Sequence, residues 1–134
     1  INQELYGPPT TLAWGLRIDS IARIAPYNDM ALYPDSTLFH PLFLYESLWN
    51  FIGFALIYWI SRRFENSLRP GDLFLLYIIW YPLGRFMLEF MRTDSWFFPG
   101  TPFNVVHLLA GIAVIAAIVA LTIRHSRPAA MVEA

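Results

Sequence analysis

An all-α, polytopic integral membrane protein with three transmembrane helices and one extracytoplasmic loop segment is the fold class this sequence predicts, on three observations. Hydrophobic residues make up 57% and charged residues 14% of the chain, against about 45–50% and about 25% in soluble domains. Three apolar runs, at about 42–60, 73–90 and 105–123, each approach the ~20 residues that a helix needs to cross a bilayer. Arginine and proline gather between these runs, with Pro82 and Arg85 as the exceptions.

Composition also sets exclusions. A net charge of −1 gives no electrostatic case for nucleic-acid binding. All nine basic residues are arginine, which suits two-pronged recognition of phosphate but also follows from genomic base composition. The absence of cysteine rules out a disulfide framework, a thiolate metal site and a cysteine nucleophile in this chain. His40, His107 and His125 show no metal-ligand spacing.

Residues 1–39 carry Pro8, Pro9, Pro26 and Pro34 and no spanning run, so they are expected to form the extracytoplasmic segment, ahead of a membrane domain over 40–134. Partial alternation from Thr11 to Asp19 suggests a strand, and Asn28-Asp29 and Pro34-Asp35 suggest turns. The first span is aromatic-rich and interrupted by Glu46, Ser47 and Asn50. A polar turn with Arg62, Arg63, Arg69, Pro70 and Gly71 follows it. In the second span Pro82 and Gly84 are expected to kink or loosen the helix ahead of Arg85. A loop over 93–102 leads to the third span, which is almost wholly aliphatic apart from His107, expected to be a packed, hydrogen-bonded residue. Arg124, His125 and Arg127 close that span. By the positive-inside rule the arginine-bearing ends face the cytoplasm, the C-terminus included.

Charge inside the second span is the informative anomaly. Positions four apart share a helix face, so Tyr81, Arg85 and Glu89 align, with Arg92 close behind. A charge at the centre of a bilayer costs at least roughly 2.5 kcal/mol, so such groups face a protein interior or a wet cavity. A structural Arg–Glu pair and a functional site both satisfy that constraint.

Three stretches, in order, carry a resemblance. Ile1-Asn2-Gln3-Glu4-Leu5-Tyr6-Gly7-Pro8-Pro9-Thr10, then His40-Pro41-Leu42-Phe43-Leu44-Tyr45-Glu46, then Tyr-x-x-x-Arg-x-x-x-Glu-Phe-x-Arg over Tyr81 to Arg92 resemble the bacterial prolipoprotein diacylglyceryl transferases. The resemblance implies a multi-pass enzyme of the bacterial cytoplasmic (inner) membrane that uses no cofactor. It implies transfer of a diacylglyceryl group from phosphatidylglycerol to the lipobox cysteine thiol of a prolipoprotein, forming a thioether. The family signature begins a few residues earlier, with Gly-Arg-x-Gly-Asn-Phe. The chain is therefore expected to be the C-terminal portion of a longer enzyme and to be inactive alone.

The resemblance also implies roles. Arg85 is expected to clamp the phosphate that leaves, with Glu89 orienting it and Tyr81 donating to phosphate or lipid ester. His40 is the local candidate for proton transfer, although a residue ahead of Pro41 also packs or caps. Glu4, Gly7, Tyr45, Glu46 and Arg92 are expected to bind substrate or shape its site. Glu46 is expected to pair with an arginine of the upstream signature or of the Arg85 helix. The rivals are a non-enzymatic lipid- or anion-binding membrane subunit and half of a transporter.

The arginine clusters predict that Ser67 lies on the cytoplasmic side and Ser20 on the outer side. Single cysteines at these positions, probed with an impermeant thiol reagent in intact cells with a permeable outer envelope, are expected to label at Ser20→Cys and not at Ser67→Cys. The reverse pattern overturns the orientation.

Overall fold

The computed structural model of the chain describes Gln3 and residues 5–126. The expectations that fall on Asn2, Glu4 and Arg127 lie outside the described residues. Three long helices occupy the three apolar runs: α1 (Leu42–Arg63), α2 (Asp72–Glu89) and α3 (Val105–Ser126). Ahead of them stand three two-residue strands, β1 (Pro9–Thr10), β2 (Leu16–Arg17) and β3 (Leu38–Phe39), and a 3-10 turn over Ser20–Ala22.

The sheet corrects the all-α expectation. Its order is β1-β3-β2, with β3 antiparallel to both neighbours and Phe39 opposite Pro9 on one side and Leu16 on the other. Strands of two residues are too short to display a period of two, and their partners come from far along the chain, so no local pattern announces them. Of the strand suggested over Thr11 to Asp19, only Leu16–Arg17 forms; a turn closed by Gly15 N–H to the Leu12 carbonyl precedes it.

This front segment has its own core of Tyr6, Ile18 and Phe39, with Leu16, Ala22 and Tyr27 packed against it. Arg23 is buried beside it. Its Nε donates to the Ile18 carbonyl (2.8 Å), its Nη1 donates to the Tyr33 carbonyl (2.7 Å), and its guanidinium lies 5.1 Å from the Phe39 ring centre. Backbone carbonyls thus satisfy most of a charge that burial would otherwise penalise. Strand β3 runs directly into His40, Pro41 and α1, so this small core sets where α1 begins.

Among the described residues, α1 and α3 are the helices long and apolar enough to cross a membrane, with mean hydropathies of 1.2 and 2.6 over their best stretches. Helix α2 does not meet that measure, because 18 residues carry Asp72, Arg85 and Glu89. The expectation of three spanning helices is therefore carried by composition in two of them. Helix α2 continues through Pro82 as a single helix.

Each neighbour of α2 is fixed by a different device. At its N-terminus Gly71 adopts φ 93°, in the left-handed region open to glycine. Asp72 follows, 1% exposed, and accepts from the Arg69 backbone N–H (2.8 Å), Arg124 Nε (3.1 Å) and His125 Nε2 (2.7 Å). Arg124 also donates to the Pro70 carbonyl (2.6 Å), while Arg69 donates to the Arg124 carbonyl. Against α1 the device is aromatic. Trp49 Nε1 donates to the Trp80 carbonyl (3.1 Å), and Trp80 Nε1 donates to the Trp49 carbonyl (3.0 Å). The two indoles stack at 4.4 Å and 20°. Each ring lies over a glycine one turn along the opposite helix, Trp49 on Gly84 and Trp80 on Gly53, in space that a Cβ would occupy.

Gly84→Ala is expected to push the Trp49 ring aside and to destabilise the helix pair by about 1–3 kcal/mol, the range for overpacking a close contact. A Cβ at Gly111 meets nothing within 4 Å, so Gly111→Ala is expected to be neutral or to stabilise by up to ~1 kcal/mol through helix propensity. Chemical denaturation of both variants in detergent micelles checks the contrast.

Candidate functional site

One turn beyond the indole pair, α1 and α2 bring charge together. Glu46 lies three residues before Trp49, and Arg85 follows Gly84, so the close helix approach sets these two side chains opposite each other. Arg85 Nη1 stands 3.7 Å from Glu46 Oε1, and Arg85 Nη2 stands 3.7 Å from Glu89 Oε2. Of the two expected partners for Glu46, the arginine on the same helix as Glu89 is the one within this chain. The pair is partly shielded, with side-chain exposures of 22% for Arg85 and 25% for Glu46.

Arg85 donates no hydrogen bond among the described residues. Its two ion pairs, at 3.7 Å, exceed N–H···O hydrogen-bonding distance. Arg92 is the opposite case. Its Nε and Nη2 donate to the two carboxylate oxygens of Asp94 at 3.0 and 2.7 Å, and Nε stands 3.8 Å from Glu89 Oε2. One guanidinium is committed; the other keeps its donors.

Glu89 is enclosed, its side chain having 0% exposure. Asn104 Nδ2 donates to its Oε1 at 2.9 Å, while Oε2 has no hydrogen-bond partner among the described residues. Asn104 also caps α3, its Oδ1 accepting from the backbone N–H groups of Val106 (2.8 Å) and His107 (3.1 Å). His107 packs between Phe86 and Phe90, and its Nε2 lies 3.1 Å from the Phe86 carbonyl, which can only accept, so that nitrogen bears the proton. His107 is thus the packed, hydrogen-bonded residue the sequence suggests. Together with Arg92, Thr93, Ser95 and Phe103 these groups line a cleft of about 700 Å³ at the end of α2.

The other expected residues fall around this centre. The Tyr45 hydroxyl accepts from Trp14 Nε1 (3.0 Å) and shares a 2.9 Å hydrogen bond with His40 Nδ1. Among the described residues neither His40 nor Tyr45 bonds to Arg85, so they form a second cluster beside it. Gly7 is buried where the front segment meets the end of α2; its N–H donates to the His40 carbonyl (2.9 Å), and an added Cβ would come within 3.1 Å of both His40 Cβ and the Met91 carbonyl. Tyr81 is 37% exposed, stacks on Tyr77, and lines an apolar cleft of about 540 Å³ between α1 and α2 with Asn50, Gly53 and Trp80. Glu4 lies outside the described residues.

Sequence reasoning missed Asn104, Asp94 and the tryptophan pair. Each had a signal: a capping-type residue just ahead of an apolar run, an acid two residues after an arginine, and Trp-x-x-x-Gly repeated at Trp49–Gly53 and Trp80–Gly84. Counting Arg85 and Arg92 against Glu46, Glu89 and Asp94, the centre has no surplus of positive charge. Arg85 therefore offers an anion directional donors rather than net charge, and an anion that binds there displaces a long ion pair.

The sequence model of the prolipoprotein diacylglyceryl transferase family matches residues 1–123. A phosphatidylglycerol–prolipoprotein diacylglyceryl transferase of Chloroflexus aggregans is 44% identical over 140 residues, covering 95% of this chain and 46% of that protein. Proteins of the same name from Leifsonia xyli (46% identical; 84% of this chain and 32% of that protein) and Bifidobacterium adolescentis (47%; 69% and 29%) are similarly related. The chain thus spans less than half the length of these curated relatives. No solved structure matches it.

The two hydrogen bonds from Arg92 hold the Asp94 carboxyl below its usual range, and the same contacts raise the Arg92 guanidinium. A carboxyl lowered by folding contributes stability above its unfolded value, about 3.9, and loses it as pH falls through the folded value. Asp94 is half exposed, so the increment is small, on the order of 0.5 kcal/mol. Asp94→Asn is expected to abolish it, lowering the thermal midpoint near neutral pH and shrinking the further drop on acidification below about pH 4; melts across that range check this.

Proposed function

The chain belongs to the prolipoprotein diacylglyceryl transferase family, and on that premise we propose that it supplies the phosphate-binding wall of an enzyme transferring diacylglyceryl from phosphatidylglycerol to a lipobox cysteine. In that reaction the cysteine sulfur attacks the glyceryl carbon that bears the phosphate ester. A C–S bond forms, the C–O bond breaks, glycerol phosphate leaves and the thiol proton passes to a base.

The observation that carries the reading is Arg85, a partly shielded guanidinium between Glu46 and Glu89 that donates no hydrogen bond among the described residues. A leaving phosphate needs fixed donors in a site of low dielectric. Arg85 presents them as a planar fork. Glu89 orients that fork from its buried side, and Glu46, a quarter exposed, gives way to the incoming phosphate. Arg92 is held on Asp94 at the rim, and Tyr81 faces the lipid from the α1–α2 cleft. His40, bonded to the Tyr45 hydroxyl, is the base proposed within this chain. A thiol with an ordinary pKa of about 8.5 needs such an acceptor near neutral pH.

This reading takes α2 as a third membrane-spanning helix despite its charges. Asp72 and Glu89 are buried against α3 and Arg85 faces α1, so the charges of α2 need not meet lipid. The site then lies towards the outer face of the bacterial cytoplasmic membrane, with the C-terminus inside.

The test grafts this chain into the Chloroflexus aggregans relative in place of the segment it matches, and follows labelled lipid from phosphatidylglycerol to a lipobox peptide. Arg85→Ala and Arg85→Lys are both expected to lower turnover by about 10² to 10³. Lysine keeps the charge but loses the two-pronged geometry, while Glu89 retains Asn104 and Arg92, so the fold persists. Near-normal turnover by Arg85→Lys overturns the clamp. Lipid binding by the unmutated graft without transfer favours the binding subunit instead.

A further inference from the structure

The amide of Asn104 faces two ways, and both directions are fixed. Its oxygen must be the atom that meets the Val106 and His107 backbone N–H groups, because those can only donate. Its NH2 is then the atom that meets Glu89, whose carboxylate can only accept. Asn104 is 8% exposed and the Glu89 side chain is fully enclosed, so water does not compete for this hydrogen bond. Among the described residues it is the single hydrogen bond made by that carboxylate. With Oε1 held by Asn104, Oε2 is turned towards Arg85 at 3.7 Å and Arg92 at 3.8 Å.

We propose that Asn104 is a positioning residue, which converts the N-cap of α3 into a fixed orientation of the Glu89 carboxylate and, through it, of the Arg85 guanidinium. The kinetic consequence rests on the transferase reading above; the positioning itself does not. Few side chains fit. Aspartate caps as well as asparagine but cannot donate when ionised. Serine caps too, yet is too short to reach from the α3 terminus to Glu89. The reach is one of chain geometry: α2 ends at Glu89, the loop returns, and Asn104 arrives beside it with its backbone already committed to starting α3. Among the described residues Arg85 has no hydrogen bond to restrain it, so its orientation depends on where Glu89 and Glu46 point.

Asn104→Asp separates positioning from capping. The isosteric change keeps both cap bonds and favours the helix dipole, so a cap-only role leaves the site untouched. Positioning predicts a defect, because the donor is replaced by a second carboxylate against Glu89. The titratable and charged groups around it are Arg85 and Glu89 from α2, Glu46 from α1, Arg92 and Asp94 from the loop after α2, and His107 from α3. Two carboxyl groups then face each other where a donor faced an acceptor, and the hydrogen bond to Glu89 is lost.

The experiment follows the Arg85 Nε–H NMR signal of the full chain in phosphatidylglycerol-containing micelles, with helix content as a control, and transfer in the grafted enzyme. At about pH 8, Asn104→Asp is expected to speed exchange of that signal and to lower transfer on the order of ten- to a hundred-fold, the scale of a lost hydrogen bond to a charged group. Asn104→Ser, which caps α3 but is too short to reach Glu89, is expected to show the same loss; it also decides the matter if the aspartate variant does not fold. Wild-type Arg85 exchange in both variants overturns the proposal. A grafted wild type that transfers nothing while Arg85 exchange responds as expected would sink the transferase reading and leave the positioning standing. Normal transfer in every variant would sink the positioning alone.

Discussion

A carboxylate buried at each end of α2 is the constraint on which the arrangement depends. An isolated charge cannot be enclosed without partners, so Asp72 and Glu89 both draw in groups from α3 and its approaches. Asp72 draws Arg124 and His125 from the end of α3; Glu89 draws Asn104 from its start. The two acids lie about 25 Å apart along the helix at 1.5 Å per residue. Fastened at both ends, α3 can neither slide nor turn against α2.

The two ends differ in how completely the acid is satisfied. Asp72 accepts three hydrogen bonds from Arg69, Arg124 and His125. Among the described residues the Glu89 carboxylate accepts one, and its other oxygen is flanked by guanidiniums at ion-pair distance alone. A saturated buried acid reads as a fastener. An unsaturated one beside Arg85 keeps an oxygen that, among the described residues, charge attraction alone holds. That asymmetry, more than the presence of charge in a helix, distinguishes the two ends of α2.

What was legible in the sequence divides along the range of the interactions. The helices were readable because long apolar runs are local signals. The pairing of Glu46 with the Arg85 helix was readable because an acid inside an apolar run demands a cation. The small sheet was not, since Phe39 meets Pro9 and Leu16 only after the chain has returned over itself. Asn104, between the loop and the third span, drew no reading because its value comes from a return that sets it beside Glu89, fifteen residues earlier. Trp49 stood in the sequence only as part of an aromatic-rich run; its exchange of hydrogen bonds with Trp80 exists only once two antiparallel helices meet. Arg92, aligned with Glu89 in sequence, turned to Asp94 instead, because a flexible side chain at a helix end takes the bidentate partner within reach.

The Trp49–Trp80 contact has an optical consequence. Two indoles held nearly parallel at 4.4 Å are close enough for their electronic transitions to couple. Trp14, Trp59 and Trp96 are each more than half exposed and, among the described residues, none stacks on another indole. The near-ultraviolet dichroism of the protein should therefore be dominated by one chromophore pair, set a single helical turn from Glu46 and Arg85. Any ligand that spreads α1 from α2 at that point would write itself into the spectrum, giving the molecule an intrinsic gauge of its own helix separation.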